Sequence, residues 1–194
     1  MNKELFLRLF DELMDRKPTN DQLRDLLINV QDTEASNTVA SALLRRKPSK
    51  DGLAEIVTLA KSQEIKDMAG KELLDDSSIG SDTLVYIASM CSNEIAKEAT
   101  SMIIESGRWD FDLNFLPSLV RVAHHGHKET FAAKYVAEFD LEKLDDDQIS
   151  VIMEMEANLC DCDAKTKLRA AISKIGMDQL IKVTTEAGEA TSKE

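Results

Sequence analysis

A chain of 194 residues, 43% hydrophobic and 31% charged, is long enough to bury about 70% of its unfolded surface in one core without disulfide or metal staples. Its net charge of −12, split as −5 over residues 1–100 and −7 over 101–194, works against binding a phosphate backbone or an anionic membrane, where Lys and Arg supply the affinity. Three cysteines are no disulfide framework, the charged N-terminus holds no signal-peptide core, and no apolar run is long enough to span a bilayer, so the expectation is a soluble, cytoplasmic protein without a membrane partner.

Gly and Pro are scarce, at seven and three copies, and strong helix formers fill the segments between them. Residues 2–16 place Leu5, Leu9, Leu13 and Met14 at helical spacing, and Pro18 ends that helix. Thr19 and Gln22 then stand at the spacing of a capping box, in which a hydroxyl and a side-chain amide satisfy orphan backbone N–H groups.

From there the chain repeats. DQLRDLLINV from Asp21, DGLAEIVTLA from Asp51 and DTLVYIASMC from Asp82 share one apolar pattern: Leu23, Leu26, Leu27, Val30; Leu53, Ile56, Val57, Ala60; Leu84, Ile87, Ala88, Cys91. A fourth copy fits Leu116, Leu119, Val120 and Ala123, and a fifth fits Ile149, Ile152 and Met153 until Glu156 breaks its last position. A second pattern follows in register: Ala35, Val39 and Leu43, then Ile65, Ala69 and Leu73, then Ile95, Ala99 and Ile103, with looser copies at Phe131 with Tyr135 or Val136 and at Leu168 with Ile172. Each unit reads as two helices around a short polar turn. One such hairpin cannot bury its own apolar faces, so a fixed period of this kind signals stacked repeats. Pro18 and Pro48 mark equivalent boundaries, and Gly107 and Gly176 stand where a left-handed helix end is favoured.

The helix-pair period and the small residues of the second helices resemble the HEAT and armadillo class of α-solenoids over residues 19–176, with a repeat shorter than the usual HEAT length. The expected fold is all-α: a right-handed-type solenoid of about five stacked hairpins, roughly eleven helices in all, with an irregular helical bundle as the alternative. Its layout is a single domain over 1–185, with a capping helix at 1–17, five helix pairs over 19–176 and a short cap over 177–185. The polar tail 186–194 is expected to be disordered.

Three groups of residues bear on chemistry. His124, His125 and His127 flank Gly126 in the turn of the fourth unit, and Cys160 and Cys162 stand in the same turn of the fifth. Equivalent turns of adjacent units stack about 8–10 Å apart, so these side chains could converge on a structural Zn²⁺. The plainer reading is that the histidines cap a helix C-terminus and Gly126 reverses the chain, so no cofactor is favoured. Between Glu138 and Asp163 lie ten carboxylates and one base, Lys143, with Asp145, Asp146 and Asp147 consecutive. They suit either a solvated helix start or a contact surface for a basic partner. Trp109, the single tryptophan, either plugs a groove between repeats or anchors a partner.

Phosphate-binding loops, nucleophile elbows and zinc-protease motifs are absent, so an enzyme is not expected. Resemblance to HEAT arrays implies that the second helices line an inner face whose outward positions include Asn37, Ser41, Asp67, Lys71, Lys97, Ser101 and Lys134. The leading expectation is a module that binds another protein through that face. An acidic mimic of nucleic acid, inhibiting a nucleic-acid-binding protein, is the second, and a metal-binding or enzymatic helical repeat the third. No direct nucleic-acid binding is expected.

Overall fold

The computed structural model describes residues 3–76, 78–177 and 179–183. All regular structure among them is helical. The expected disordered tail at 186–194, and residues 184–185 of the expected cap, lie outside the described residues. No described helix is long and apolar enough to cross a membrane. The chain divides into two compact units, the first ending at Ala99 and the second beginning at Thr100.

The first unit holds α1 (Lys3–Asp15), α2 (Asn20–Asn29), α3 (Thr33–Arg45), α4 (Lys50–Leu59), α5 (Gln63–Leu74), α6 (Ser81–Met90) and the start of α7 (Asn93–Ser106). Its helix starts follow from polar residues that satisfy orphan N–H groups. Thr19 and Gln22 form both bonds of the capping box ahead of α2, at 2.9 and 3.2 Å. Asp32 accepts the N–H of Ala35 at 2.9 Å and Ser49 that of Gly52 at 3.4 Å, starting α3 and α4. The helix ends repeat as well. Lys17 and Lys47 both take left-handed backbone, with φ of 55° and 50°, and each is followed by a buried proline that cannot continue the helix.

Period sets burial. Leu23, Leu27, Ile56, Val57, Ala60, Leu84, Ile87 and Ala88 from the first helices are buried, as are Val39, Leu43, Ala69, Leu73 and Ala99 from the second. Each buried Leu, Ile or Val contributes about 1.5–3 kcal/mol of transfer free energy. Hairpins α2–α3 and α4–α5 pack internally; α2 lies on α4, α4 on α6, and α3 on α5. Helix α1 covers α3 but buries a different row from the leucines that mark its period. Phe6 and Phe10 are inward with stacked rings 5.8 Å apart, while Leu5 and Leu9 stay 44% and 46% exposed.

The second unit continues through a 3-10 turn (Leu113–Phe115), α8 (Leu116–Val122), α9 (His125–Glu138), α10 (Asp146–Asn158) and α11 (Asp163–Ile172), with helical backbone again over 179–183. Hairpins α8–α9 and α10–α11 pair, α8 lies on α10, and α9 lies on α11. Leu116, Leu119, Val120, Phe131, Tyr135, Ile149, Ile152 and Leu168 are buried. Met155, rather than Met153, completes the buried row of α10. Glu156, which interrupts the apolar pattern, is met by Arg169 at 2.6 Å and Lys165 at 3.6 Å, both from α11. Gly107 ends α7 in left-handed backbone with φ of 62°; among the described glycines Gly176 does not share that conformation.

Candidate functional site

Helix α3 and helix α5 lie side by side in the first unit, and between them runs an open groove of about 530 Å³. Asn37, Ser41, Leu44 and Arg45 line it from α3, and Ile65, Met68 and Glu72 from α5. Lys47 and Ser62, from the flanking turns, and Glu64 complete the rim. Its apolar lining is buried Leu44, half-buried Ile65 and Met68, which stands 55% exposed. Its rim carries both signs, Arg45 and Lys47 at the end of α3 against Glu64 and Glu72 on α5. Two of the residues expected on an inner face, Asn37 and Ser41, are therefore in it.

Asn37 has a second task. Its Oδ1 accepts the backbone N–H groups of Lys61 and Ser62 at 3.0 and 2.8 Å, in the turn between α4 and α5. These are orphan donors at a helix start, and Ser62 makes no side-chain cap of its own. Asp67 does the same one hairpin on, accepting the N–H of Ser92 at 2.7 Å before α7. Gln63 supports it, donating to Asp67 Oδ1 at 2.9 Å and to the carbonyl of Met90 at 3.0 Å. Burial pushes the Asp67 carboxyl up, but the hydrogen bonds from Ser92 and Gln63 outweigh it and hold it below the usual carboxylate range. Ser36, 1% exposed, adds a bond from its hydroxyl to the carbonyl of Leu59 at 3.2 Å.

The remaining expected surface residues are dispersed. Lys71 is exposed on α5, Lys97 pairs with Glu94 at 3.8 Å, and Lys134 pairs with Glu138 at 2.7 Å. Ser101 Oγ lies 3.4 Å from His127 Nδ1. Half-buried Trp109 and buried Phe131 pack in a T-shaped arrangement, centroids 5.6 Å apart, and Trp109 tilts against Phe111 at 6.0 Å. In the acidic triplet, Asp145 forms a capping box with Gln148. Asp146 takes bonds from Lys182 at 2.5 Å and Gln179 at 2.9 Å, which hold its carboxyl low, and Asp147 is exposed in the first turn of α10.

The histidine cluster is placed differently from its expected position in a turn at a helix C-terminus. His124 is the N-cap of α9, and His125, Gly126 and His127 form its first helical turn, so Gly126 does not reverse the chain. Adjacent hairpins still bring part of the set together: Cys160 Sγ lies 3.1 Å from His125 Nε2. The rings of His124 and His127 are 6.1 Å apart. Cys162 caps α11, its sulfur accepting the N–H of Lys165 at 3.4 Å. Among the described residues no three His, Cys, Asp or Glu side chains are grouped to hold a metal ion.

Ile65 belonged to the second apolar row, but Arg45, Lys47, Glu64, Met68 and Glu72 were not singled out by periodicity, because a groove between two helices is a tertiary product. The linking role of Asn37 and Asp67 had one signal: they stand thirty positions apart in the repeat. The chain matches no family model, no curated protein and no solved structure.

Proposed function

We propose that this chain is a non-enzymatic protein-interaction module built as a short α-solenoid of HEAT-like hairpins, which holds an extended segment of a partner protein in the groove between α3 and α5. The supporting packing is that, within each unit, first helices lie on first helices and second helices on second helices. That arrangement exposes equivalent positions of successive hairpins side by side.

The observation that carries the binding reading is the groove itself. The apolar lining residues Leu44, Ile65 and Met68 offer an anchor for an apolar side chain. The basic Arg45 and Lys47 and the acidic Glu64 and Glu72 offer opposite charges to its flanks. A segment with an apolar residue between one acidic and one basic residue fits both features. The acidic-mimic reading draws less support, since Asp145 and Asp146 are engaged in capping and ion pairing. Three free thiols fit a reducing, cytoplasmic setting.

The test compares three full-length baits in the native cell: the unaltered chain, Met68→Asp with Ser41→Arg, and Lys143→Glu as an exposed control outside the groove. Proteins captured by the first and third but lost from the groove variant support the reading. Equal capture by all three, or capture by none, overturns it.

A further inference from the structure

We propose that Cys160 is a modification site, the thiol of this chain that reacts with hydroperoxides, with His125 taking its proton. The pair is assembled by tertiary structure. His125 is fixed on the first turn of α9 and Cys160 in the turn between α10 and α11, and the packing of α9 on α11 brings them together. Sγ is 3.1 Å from Nε2 and 3.6 Å from Nδ1, so both ring nitrogens are within reach of the thiol and Nε2 is the nearer. A nucleophile with a base at that distance is the arrangement that activates a thiol.

The turn that carries Cys160 is held at Leu159 and at Cys162, two residues on. Leu159 is buried before it, and Cys162 after it is tied to the N-terminus of α11. Cys160 itself is exposed. A depression of about 220 Å³ between α9 and α11 is lined by Glu129, Ala133, Cys162 and Lys167. Glu129 is one helical turn beyond His125 on the same face of α9, and neither His125 nor Cys160 lines the depression, so the pair stands open to solvent.

The step balances as follows. Cys160 Sγ attacks the terminal oxygen of the hydroperoxide; an S–O bond forms and the O–O bond breaks. Sulfur is oxidised by two electrons and the peroxide is reduced. The thiol proton passes to His125 Nε2 and then to the departing alkoxide, leaving a sulfenic acid and an alcohol.

Cys91 supplies an internal reference. Its sulfur sits against Gly70 and the carbonyl of Lys66, and burial pushes its thiol up to about 12. The experiment treats full-length Cys162→Ser protein with tert-butyl hydroperoxide and traps sulfenic acid with dimedone, read by peptide mass spectrometry. Serine is a good N-cap, and it prevents condensation of Cys160 with its neighbour. Cys160 is expected to label at least about tenfold faster than Cys91. Adding His125→Ala, or separately His125→Gln, slows Cys160 severalfold and leaves Cys91 unchanged, with helicity by circular dichroism unaltered. Equal labelling of the two cysteines, or a Cys160 rate indifferent to both His125 variants, overturns the proposal.

Discussion

Asn37 accepts the backbone N–H of Ser62 at 2.8 Å, across twenty-five residues of chain, and thereby fastens the second helix of one hairpin to the turn of the next. Asp67 repeats the bond with Ser92 at 2.7 Å. The link couples local structure to packing: an unpaired N–H at the start of α5 is satisfied only when α3 lies in its place. Asn37→Ala removes the acceptor for two N–H groups and is expected to lower stability by about 1–3 kcal/mol. Asn37→Asp keeps the acceptor, as Asp67 shows, and is expected to lose less than half of that. Urea unfolding measures both; equal losses would mean that the hydrogen bonds do not matter.

Close packing between hairpins gives a second test. A Cβ added at Gly70 would meet Cys91 Sγ at 2.7 Å and the Ile95 side chain at 3.3 Å. Overpacking of this kind costs about 1–3 kcal/mol, partly offset by about 1 kcal/mol of helix propensity gained on replacing Gly. Gly70→Ala is therefore expected to destabilise the native chain, and to do so by at least about 1 kcal/mol less in a Cys91→Ala background. A double-mutant cycle read by urea unfolding checks it; additivity would show that the contact with Cys91 does not limit the site.

Backbone conformation gives a third. Lys17 has φ of 55°, where a Cβ is strained and glycine is at ease. Relief of that strain outweighs the added flexibility of the unfolded chain, so Lys17→Gly is expected to raise stability by up to about 1 kcal/mol. A lower urea midpoint for the variant would contradict this.

Acid sensitivity follows from carboxylates held low, among them Asp76 and Asp67. Asp76 is brought to about 2 from its ordinary 3.8, first by its bond to Lys50 and then by bonds from Ser78. A carboxylate depressed on folding stabilises the folded state above its unfolded value, and that contribution is lost as pH falls through its folded value. For Asp76 it is present above pH 3.8 and is lost toward pH 2. Asp67, also lowered, acts in the same direction. Unfolding midpoints followed from pH 5 to pH 2 are expected to fall less steeply in Asp76→Asn than in the native chain. Parallel curves would show that Asp76 is not depressed.

Much of the core was legible from period alone. Leu53, Ile56, Val57 and Ala60, read as one apolar row, are all buried, and Leu116, Leu119, Val120 and Ala123 are too. Helix α1 shows where period stops deciding. It carries two adjacent apolar rows, and the choice of Phe6 and Phe10 over Leu5 and Leu9 was made by the surface of α3. His125 and Gly126 were read as a turn because glycine is a strong local break, yet the helix begins at His125. The proximity of His125 and Cys160 did follow from stacking equivalent turns, whereas the groove depended on side chains facing each other from two helices.

The central claim is that the groove between α3 and α5 is where a partner sits. A photoreactive benzoylphenylalanine placed at Met68, and in a separate sample at exposed Lys143, tests it in the native cell under one dose of light. The account expects a discrete protein adduct from position 68 that position 143 does not give. Adducts of the same size and yield from both positions, or none from position 68, would contradict it.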